Sequence, residues 1–487
     1  MAFIDAKQPE QVHLQLDQRF YRKVAAASFA VQSLRYRNQE TAATIGLDTI
    51  DDATWTAHFA GFQPLEGSLP HPLALCYHGH QFGHYNPDLG DGRGFLFAQL
   101  RDDQGRLMDL GTKGSGTTPF SRTADGRLTL KGAVREILAT EMLEALGVNT
   151  SRTLSVVETG EALTRHDEPS PTRSAVLVRL SHSHIRIGSF QRLAYMQDFD
   201  AIEILARHVA RHYYTGVGGL PRLDPDAPLD ALLPDLLEAA ALSIAATVGQ
   251  WLAAGFVHGV LNTDNFNITG ESFDYGPWRF LPHFDPGLVA AYFDQTGRYA
   301  YGRQSEAALW AVCRLADSFL PLVDKSKLEA RLPLFYPAVE ASLAAQIKWR
   351  LGVAGVTDGQ DRDTALARAF FTAARDSGYG FDQIFHDLYG GAARVDGYDS
   401  PIWHPLLDQL ADSKPIRADA LAHPYFRRAT AVSLTIDEVE ALWDPIASHD
   451  DWSALERKIA AIRQMRSALH GQDRSVLPRI IGGAAAG

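Results

Sequence analysis

Cysteine is almost absent, since Cys76 and Cys313 are the only two thiols in 487 residues. So few cysteines exclude the disulfide framework of a small secreted protein, and a reducing cytoplasm is the expected location. Basic residues are also outnumbered, with 46 Lys and Arg against 58 Asp and Glu and a formal net charge of −12. This balance argues against a general nucleic-acid-binding protein, whose surface is basic, although it leaves room for a local basic pocket that binds a phosphorylated ligand.

The sequence also lacks a recognisable targeting or membrane segment. The first stretch, MAFIDAKQPEQVHLQL, contains acidic residues and no long apolar run, unlike a secretory signal or an Arg-rich transit peptide. One long apolar segment, residues 239–260, contains Gln250 and is rich in Ala and Gly rather than in Leu and Ile. This composition predicts a buried helix rather than a membrane span.

The chain does contain two kinds of apolar periodicity, and it is long enough for two or more domains. Alternating apolar residues predict strands at 95–100, 106–110, 152–164 and 174–180, with a hairpin turn at 102–105. Helical spacing over 128–148 predicts an amphipathic helix that Gly147 ends. From residue 198 onward the spacing is mostly helical, which predicts a β-rich first part followed by an α-rich second part.

The segment HGVLNTDNFNITGESFDYGP, residues 258–277, is similar to the catalytic loop of a protein kinase. Kinases carry H-R-D-x-x-x-x-N followed by D-F-G, and here His258 and Asn265 occupy the His and Asn positions. Asp274 begins the sequence that corresponds to D-F-G. The position of the catalytic Asp holds Val260, which cannot accept a proton.

Asp264 is the only carboxylate within HGVLNTDN and is therefore the candidate general base. A base needs only to reach the attacking hydroxyl, so a displaced carboxylate can still serve. Its displacement predicts that the nucleophile arrives from elsewhere or that a different phosphate is attacked. Asn265 and Asp274 supply the amide and carboxylate oxygens that Mg²⁺ prefers, although both residue types also cap turns.

Upstream residues complete the order found in kinases. A Gly-rich turn at 90–94 precedes Lys113, and the helical Glu136 follows, as expected for a Lys that neutralises phosphates and a Glu that holds it. On its own such a turn is usually only a turn. Asp125 and Gly126 lie in a polar loop that either contacts a nucleotide or forms a simple turn.

Arginines and histidines provide two further candidate sites. Arg93, Arg179 and Arg186 could bind phosphate oxygens and indicate a highly charged ligand. The pattern H-x-H-x3-H at His78, His80 and His84 could hold zinc, but no cysteine cluster or H-E-x-x-H pattern accompanies it. Structural or ligand-contacting roles are the favoured interpretation of these histidines.

The motifs together resemble the selenoprotein O family, the protein adenylyltransferases with a kinase-like fold whose bacterial members are also called YdiU. The resemblance extends over roughly residues 70–310 and rests on these motifs: GHQFG (79–83), LGDGRG (89–94), KGSGTTPFSR (113–122), DGRLTLKGAVREILATEML (125–143), SHIRIGSFQ (183–191), GFVHGVLNTDNFNITGESFDYGP (255–277) and GRYAYGRQ (297–304).

The resemblance implies that ATP binds in a flipped orientation, so that AMP passes to a protein Ser, Thr or Tyr hydroxyl and pyrophosphate is released. It implies that Asp264 is the base, that Glu136 pairs with Lys113, and that Asn265 and Asp274 bind Mg²⁺ or Mn²⁺. The nucleotide contacts that it implies are Gly90, Gly92, Arg93, Lys113, Asp125, Gly126, Arg179 and Arg186, with Glu136 and Asp274 completing the ATP site.

The expected fold is α+β and bilobed like a protein kinase. Residues 1–192 would form a β-rich N-lobe with an N-terminal extension, and residues 193–487 a larger helical C-lobe with extra helices. The expected partners are protein substrates, with no nucleic acid and no membrane, and the expected state is a cytoplasmic monomer.

The chain differs from the family pattern in one respect, and three alternative functions stay open. Many family members carry Cys or selenocysteine near the C-terminus, whereas this chain ends RIIGGAAAG, so redox regulation through such a residue is in doubt. UMP transfer from UTP with Mn²⁺ is one alternative activity. A conventional kinase and a non-catalytic pseudokinase scaffold that binds nucleotide are the others.

Overall fold

A computed structural model of the chain describes residues 9–166, 168–354, 360–417 and 419–471. The strands are β1 Pro9–Glu10, β2 Tyr21–Lys23, β3 Ser33–Arg37, β4 Leu73–Leu75, β5 Gly79–Gln81, β6 His84–Asn86, β7 Leu96–Arg101, β8 Leu107–Lys113, β9 Leu128–Thr129, β10 Arg152–Leu163, β11 Thr172–Ser181, β12 Phe256–Val257, β13 Arg279–Phe280, β14 Val353–Ala354 and β15 Lys414–Pro415. The helices are α1 Gln39–Thr44, α2 Asp52–Phe59, α3 Leu130–Ala145, α4 Ile187–Tyr195, α5 Phe199–His212, α6 Leu229–Ala254, α7 Gln304–Phe319, α8 Lys325–Glu329, α9 Phe335–Arg350, α10 Gln360–Ser377, α11 Phe381–Asp387, α12 His404–Leu410, α13 Ile436–His449 and α14 Ser453–His470.

The architecture is mixed α and β, with one large antiparallel sheet followed by many helices. The sheet has nine strands in the order β2-β4-β7-β8-β11-β10-β3, with β1 beside β7 and β9 beside β11. The predicted strands are all present, and β8 continues beyond the predicted end, so that Lys113 is its last residue. The β7–β8 turn is closed by Asp102, whose carboxylate accepts hydrogen bonds from the backbone N–H groups of Gln104 and Arg106 at 3.0 and 2.8 Å.

Alternation along the strands separates the two faces of this sheet. Val176 and Val178 of β11 belong to a buried cluster with Trp55 and Phe59 of α2. Leu177 points the other way and belongs to the main core, which includes the apolar side of α3. Arg179 therefore shares the α3 face of the sheet with Leu177.

Helix α3 begins and ends where local chemistry requires. The Thr129 hydroxyl accepts a hydrogen bond from the backbone N–H of Gly132 at 3.1 Å, which caps the first turn. Gly147 has φ of 77°, a conformation that glycine adopts without strain and that follows the helix end. The predicted helix over 128–148 is thus confirmed, with the shorter bounds Leu130–Ala145.

Helix α6 contains most of the long apolar segment at 239–260. It is long and apolar enough to cross a membrane, but 78% of its most apolar window is buried inside the protein. The prediction of a buried helix is confirmed. The helix ends earlier than the apolar run because Gly255 adopts φ of 67° and directs the chain into β12, which pairs with β13.

The last described helix, α14, packs against α3 through partly buried ion pairs. Glu141 of α3, whose side chain is 2% exposed, pairs with Arg463 of α14, with 3.1 Å between Nε and Oε2. Glu144 pairs with Arg466 at 2.8 Å. His470 donates a hydrogen bond from Nε2 to the Ala145 carbonyl at 3.0 Å. Helix α3 is therefore fixed by a segment far along the chain.

Replacing Arg463 tests this packing. Arg463→Met would leave the Glu141 carboxylate buried without its cation, and we expect a loss of about 2–3 kcal/mol in the free energy of unfolding, measured by denaturant titration. This is below the full cost of breaking a buried pair, because the Arg463 side chain is 28% exposed. Arg457→Met, at an exposed position of the same helix, should change stability by less than about 0.5 kcal/mol. Equal effects of the two substitutions would contradict the role of the Arg463–Glu141 pair.

Candidate active site

A buried histidine anchors the loop that follows α6. The His258 backbone N–H donates to Gln304 Oε1 at 3.0 Å, and its Nε2 donates to the Phe273 carbonyl at 3.0 Å. Burial lowers the pKa of His258, so the ring is neutral at physiological pH and carries its proton on Nε2. His258 thereby connects the loop to the residue that precedes Asp274.

A cluster of four charged side chains joins four separate segments of the chain, which are two strands, one helix and the loop that carries Asp274. Lys113 Nζ, at the end of β8, lies 2.7 Å from Glu136 Oε2 on α3 and 2.7 Å from Asp274 Oδ1. Arg179 Nη1, from β11, lies 3.0 Å from the same Asp274 oxygen. The structure thus brings together four of the residues that the sequence singles out.

The cluster determines the ionisation of Asp274. Burial disfavours its charge, but the neighbouring Lys113, Arg179 and Arg186 hold the pKa of Asp274 well below its usual range. Its backbone has φ of 66°, an uncommon conformation for a residue other than glycine. Asp274 is therefore a carboxylate at physiological pH, and its left-handed backbone conformation is one that Asp adopts more often than most residues other than glycine.

Arg186 links the Gly-rich turn to the loop that contains Asp264. Its guanidinium Nη2 lies 3.2 Å from Asp91 Oδ1, and Nη1 donates to the Asp264 carbonyl at 3.2 Å. The guanidinium also stacks over Tyr77, 4.2 Å from the ring centroid. Asp91 did not figure among the candidate residues, although its place within GDGRG was a signal that a charged group lies in the turn.

Asp264 is buried and incompletely paired. Its Oδ1 has no hydrogen-bond partner among the residues that the structure describes. Burial raises the pKa of Asp264 to about 6, against the opposing effect of Arg186.

Strand β5 lies over the loop, since the Thr263 hydroxyl accepts a hydrogen bond from the His80 N–H at 2.7 Å. A Cβ on Gly79 would come within 3.0 Å of Asp264 Oδ1, so glycine leaves room at this carboxylate.

The donors needed for a hard divalent cation are present. Asn265 Nδ2 donates to the Val260 carbonyl at 3.0 Å, while Asn265 Oδ1 is buried with no partner in the described part of the chain. Asp274 adds carboxylate oxygens. Among the described residues no group of three or more His, Cys, Asp or Glu could hold a metal ion. An amide and a carboxylate fit Mg²⁺ or Mn²⁺, which usually complete their coordination with phosphate oxygens and water.

The Gly-rich turn packs closely beside Lys113. A Cβ on Gly94 would lie 1.9 Å from the Thr112 carbonyl oxygen, and one on Gly90 would lie 2.3 Å from the Phe120 ring. The Ser121 hydroxyl donates a hydrogen bond to the Gly92 carbonyl. Close approach of the backbone therefore requires glycine at position 94, whereas at position 90 the Phe120 side chain fills the space.

The remaining candidates lie outside the ion-pair cluster. Arg93 is exposed, and its side chain makes no hydrogen bond or ion pair with the described residues. Asp125 is also exposed and pairs with Arg165 at 2.8 Å. Gly126, with φ of 68°, accepts a hydrogen bond from the Gly116 N–H at 3.1 Å. The loop that carries Asp125 thus adjoins the chain just after Lys113, but its carboxylate does not pair with that lysine.

The three histidines of H-x-H-x3-H do not meet at one point. His78 Nδ1 bonds to the Tyr85 hydroxyl at 2.8 Å, and His80 Nδ1 bonds to Gln191 Nε2 at 2.8 Å. His84 is exposed at the start of β6. These separate contacts agree with the favoured structural interpretation and do not support a zinc site in the described ranges.

Comparison with known proteins gives consistent matches over nearly the whole chain. The family model described as protein adenylyltransferase SelO matches residues 5–463. A protein nucleotidyltransferase YdiU of Trichormus variabilis is 40% identical over 471 residues, which are 91% of this chain and 93% of that protein. The YdiU of Synechococcus elongatus is 42% identical over 480 residues, with 92% and 93% covered. The YdiU of Vibrio vulnificus is 36% identical over 380 residues, with 78% and 74% covered.

The unpaired Asp264 should cost the folded protein stability. Its folded pKa is raised from 3.8 to about 6, so its ionisation destabilises the fold by up to about 3 kcal/mol above pH 6, and the cost disappears below the unfolded pKa. We therefore expect Asp264→Asn to increase the free energy of unfolding by about 1–3 kcal/mol at pH 7.5, and by about half as much at pH 5. Denaturant titrations at the two pH values measure this.

Asp274→Asn is the matched control for this prediction. It should lower stability instead, because the buried Lys113 would lose one of its two carboxylates and Arg179 its closest one. If Asp264→Asn increases the free energy of unfolding equally at pH 5 and pH 7.5, the proposed cost of ionising Asp264 is contradicted.

Proposed function

Since the chain belongs to the SelO family of protein adenylyltransferases and is thus a nucleotidyltransferase, we propose that it transfers AMP from ATP to protein Ser, Thr or Tyr hydroxyls. Pyrophosphate is the second product. One observation carries this proposal. Val260 stands where a kinase has its catalytic Asp, yet the same loop contains a carboxylate, that of Asp264, whose Oδ1 has no partner among the described residues and whose carbonyl contacts Arg186.

The fold proposed for this activity is the bilobed arrangement of a protein kinase. Residues 1–192 make up the N-lobe with its extension, and residues 193–487 the helical C-lobe. Of these, 1–8, 167, 355–359, 418 and 472–487 lie outside the described residues. The order of Lys113 on a strand, Glu136 on the next long helix and Asp274 after the catalytic loop supports this assignment.

Asp264 acts as the general base in the proposed reaction. The acceptor hydroxyl gives its proton to Asp264, and its oxygen forms a bond to the α-phosphorus. The bond from the α-phosphorus to the bridging oxygen breaks, and pyrophosphate leaves with that electron pair. A carboxylate with a pKa of about 6 and a free oxygen suits this role, because it is ionised at pH 7 yet more basic than an exposed Asp.

Buried cations bind the phosphates. Lys113 and Arg179 contact Asp274, and Arg186 contacts the Asp264 carbonyl and Asp91 of the Gly-rich turn, so their positive charges would neutralise those of a triphosphate bound there. The contacts assigned from the family resemblance are Gly90, Gly92, Arg93, Asp125 and Gly126. The exposed side chain of Arg93 leaves it available to a ligand.

Asn265 and Asp274 hold Mg²⁺ or Mn²⁺ in this proposal. When bound, the ion neutralises phosphate charge and fixes the phosphate oxygens in place. The buried free Oδ1 of Asn265 and the depressed pKa of Asp274 support the assignment, because both groups offer unprotonated oxygens.

Protein substrates are the proposed partners, and the enzyme is proposed to act as a cytoplasmic monomer without nucleic acid or membrane. The acidic net charge of −12 and the burial of the apolar helix α6 support this proposal.

Parallel labelling of ATP tests the reaction itself. With ATP labelled at the α-phosphate, label should remain on the acceptor protein, while ATP labelled at the γ-phosphate should leave none. Mass spectrometry of the acceptor should find an added AMP. Retention of only the γ label would instead identify a conventional kinase, and an absence of any metal-dependent turnover would favour a scaffold. The same assay with labelled UTP determines which nucleotide is preferred.

Replacing Asp264 tests the base. Asp264→Asn should lower kcat by about 10²–10⁴-fold, because the hydroxyl loses its proton acceptor. In the unsubstituted enzyme kcat should rise about tenfold per pH unit below pH 6 and level off above pH 7, since only the ionised Asp264 accepts a proton. Asp103→Asn, in the exposed β7–β8 turn, is the control and should leave both the rate and the profile unchanged. Full activity of the Asp264→Asn variant would exclude this residue as the base.

A further inference from the structure

Asp109, Gly111 and His184 adjoin the ion-pair cluster at Arg179 and have no part in the proposed reaction. Strand β8 presents Asp109, Gly111 and Lys113 on one face, because alternate residues of a strand share a face. Across the sheet, Arg179 of β11 is the partner of Gly111 in the antiparallel register. Arg179 thus lies beside the position on β8 that has no side chain.

The imidazole of His184 fills the space above Gly111. A Cβ at position 111 would lie 2.4 Å from His184 Nε2, so any larger residue would displace the ring. His184 is 3% exposed and follows Ser183, whose φ of 136° is a strained conformation for a residue other than glycine. The Ser183 carbonyl accepts hydrogen bonds from Ser181 Oγ and Asn267 Nδ2, and these bonds hold the turn that carries the ring.

The contact with Arg179 fixes which nitrogen of His184 carries the proton. Arg179 Nε donates to His184 Nε2 at 3.2 Å. Arginine has no acceptor, so Nε2 must offer its lone pair and the proton must reside on Nδ1. Nδ1 lies 3.8 Å from Asp109 Oδ2, which is beyond hydrogen-bond distance, and it has no hydrogen-bond partner among the described residues, so Asp109 acts on this N–H through its charge alone.

Asp109 is itself held rigidly. It is fully buried and accepts hydrogen bonds from the His184 backbone N–H at 2.9 Å, from Gln99 Nε2 at 2.8 Å and from the Tyr213 hydroxyl at 3.1 Å. Burial disfavours its charge, but these bonds and the neighbouring His184 keep the pKa of Asp109 below its usual value. A fixed negative charge therefore faces the protonated nitrogen of the ring.

We propose that His184, oriented by Asp109, is a positioning residue for Arg179 and holds its Nε so that the Nη groups face Asp274 and the nucleotide phosphates. This inference rests on the proposed function, in which Arg179 binds ATP. A free arginine side chain must give up its flexibility when it binds a phosphate, whereas one already held at Nε gives up less. His184 therefore increases the affinity for ATP without contacting it.

Two substitutions at His184 separate the acceptor from the volume of the ring. In His184→Gln the amide oxygen is as many bonds from Cβ as Nε2 is, and it can accept from Arg179. His184→Met fills similar space without a comparable acceptor. We expect the Met variant to bind ATP with Mg²⁺ about ten- to a hundredfold more weakly, the range for a lost hydrogen bond to a charged group, and the Gln variant to recover most of this loss. Calorimetric titration with ATP and MgCl₂ measures the affinity, and thermal unfolding shows that each variant is folded.

Equal losses in the Gln and Met variants, or unchanged affinity in the Met variant, would overturn the inference. A measurement on the unsubstituted protein does not depend on whether the variants fold. Long-range ¹H–¹⁵N spectra should find His184 neutral with its proton on Nδ1, and a proton on Nε2 would also overturn the inference. Failure of the unsubstituted protein to transfer AMP would overturn the proposed function alone, because the role of His184 is judged by ATP affinity and by the ring tautomer.

Discussion

A buried ammonium group must have carboxylates beside it, and this requirement at Lys113 organises the centre of the molecule. Removing a charge from water costs several kcal/mol unless opposite charges and hydrogen bonds replace the lost hydration. Lys113 obtains these from Glu136 and Asp274, both at 2.7 Å, which come from α3 and from the chain after the catalytic loop. The strand, the helix and the loop are therefore mutually fixed, because displacement of any one leaves a buried charge unpaired.

Asp264 differs from Asp274 and Asp91 in that no cation among the described residues pairs with its carboxylate. Arg186 reaches the backbone carbonyl of Asp264, while its other nitrogen binds Asp91. A direct ion pair would have stabilised the ionised form and lowered the pKa of Asp264, which would make it a weaker base. The fold thus accepts an energetic cost at Asp264, whereas it places two cations, Lys113 and Arg179, beside Oδ1 of Asp274. Opposite pKa shifts of two nearby carboxylates suit a division of labour in which one accepts a proton and the other binds a cation.

Much of the site could be predicted from sequence because its residues lie in short motifs. Asp264, Asn265 and Asp274 belong to one segment, and the order of Lys113 and Glu136 follows from the strand and helix periodicity. The contact of Arg179 with His184 could not be predicted, since it depends on the strand register and on the absence of a side chain at Gly111. The solvent exposure of Arg93 and Asp125 could not be predicted from the sequence either, because it depends on loop conformation and not on apolar periodicity.

Helix α3 connects the site to the end of the described chain. Its Glu136 faces Lys113, while Glu141 and Glu144 on the same helix pair with Arg463 and Arg466 of α14. Because a helix moves as a rigid element, a displacement of α3 that lengthens one of these ion pairs would also disturb the others. Residues more than 300 positions apart thereby share the task of holding α3. No local sequence pattern encodes such a contact. Helix α14 therefore has a structural function that its sequence alone does not reveal, because it supports α3, the helix that carries Glu136.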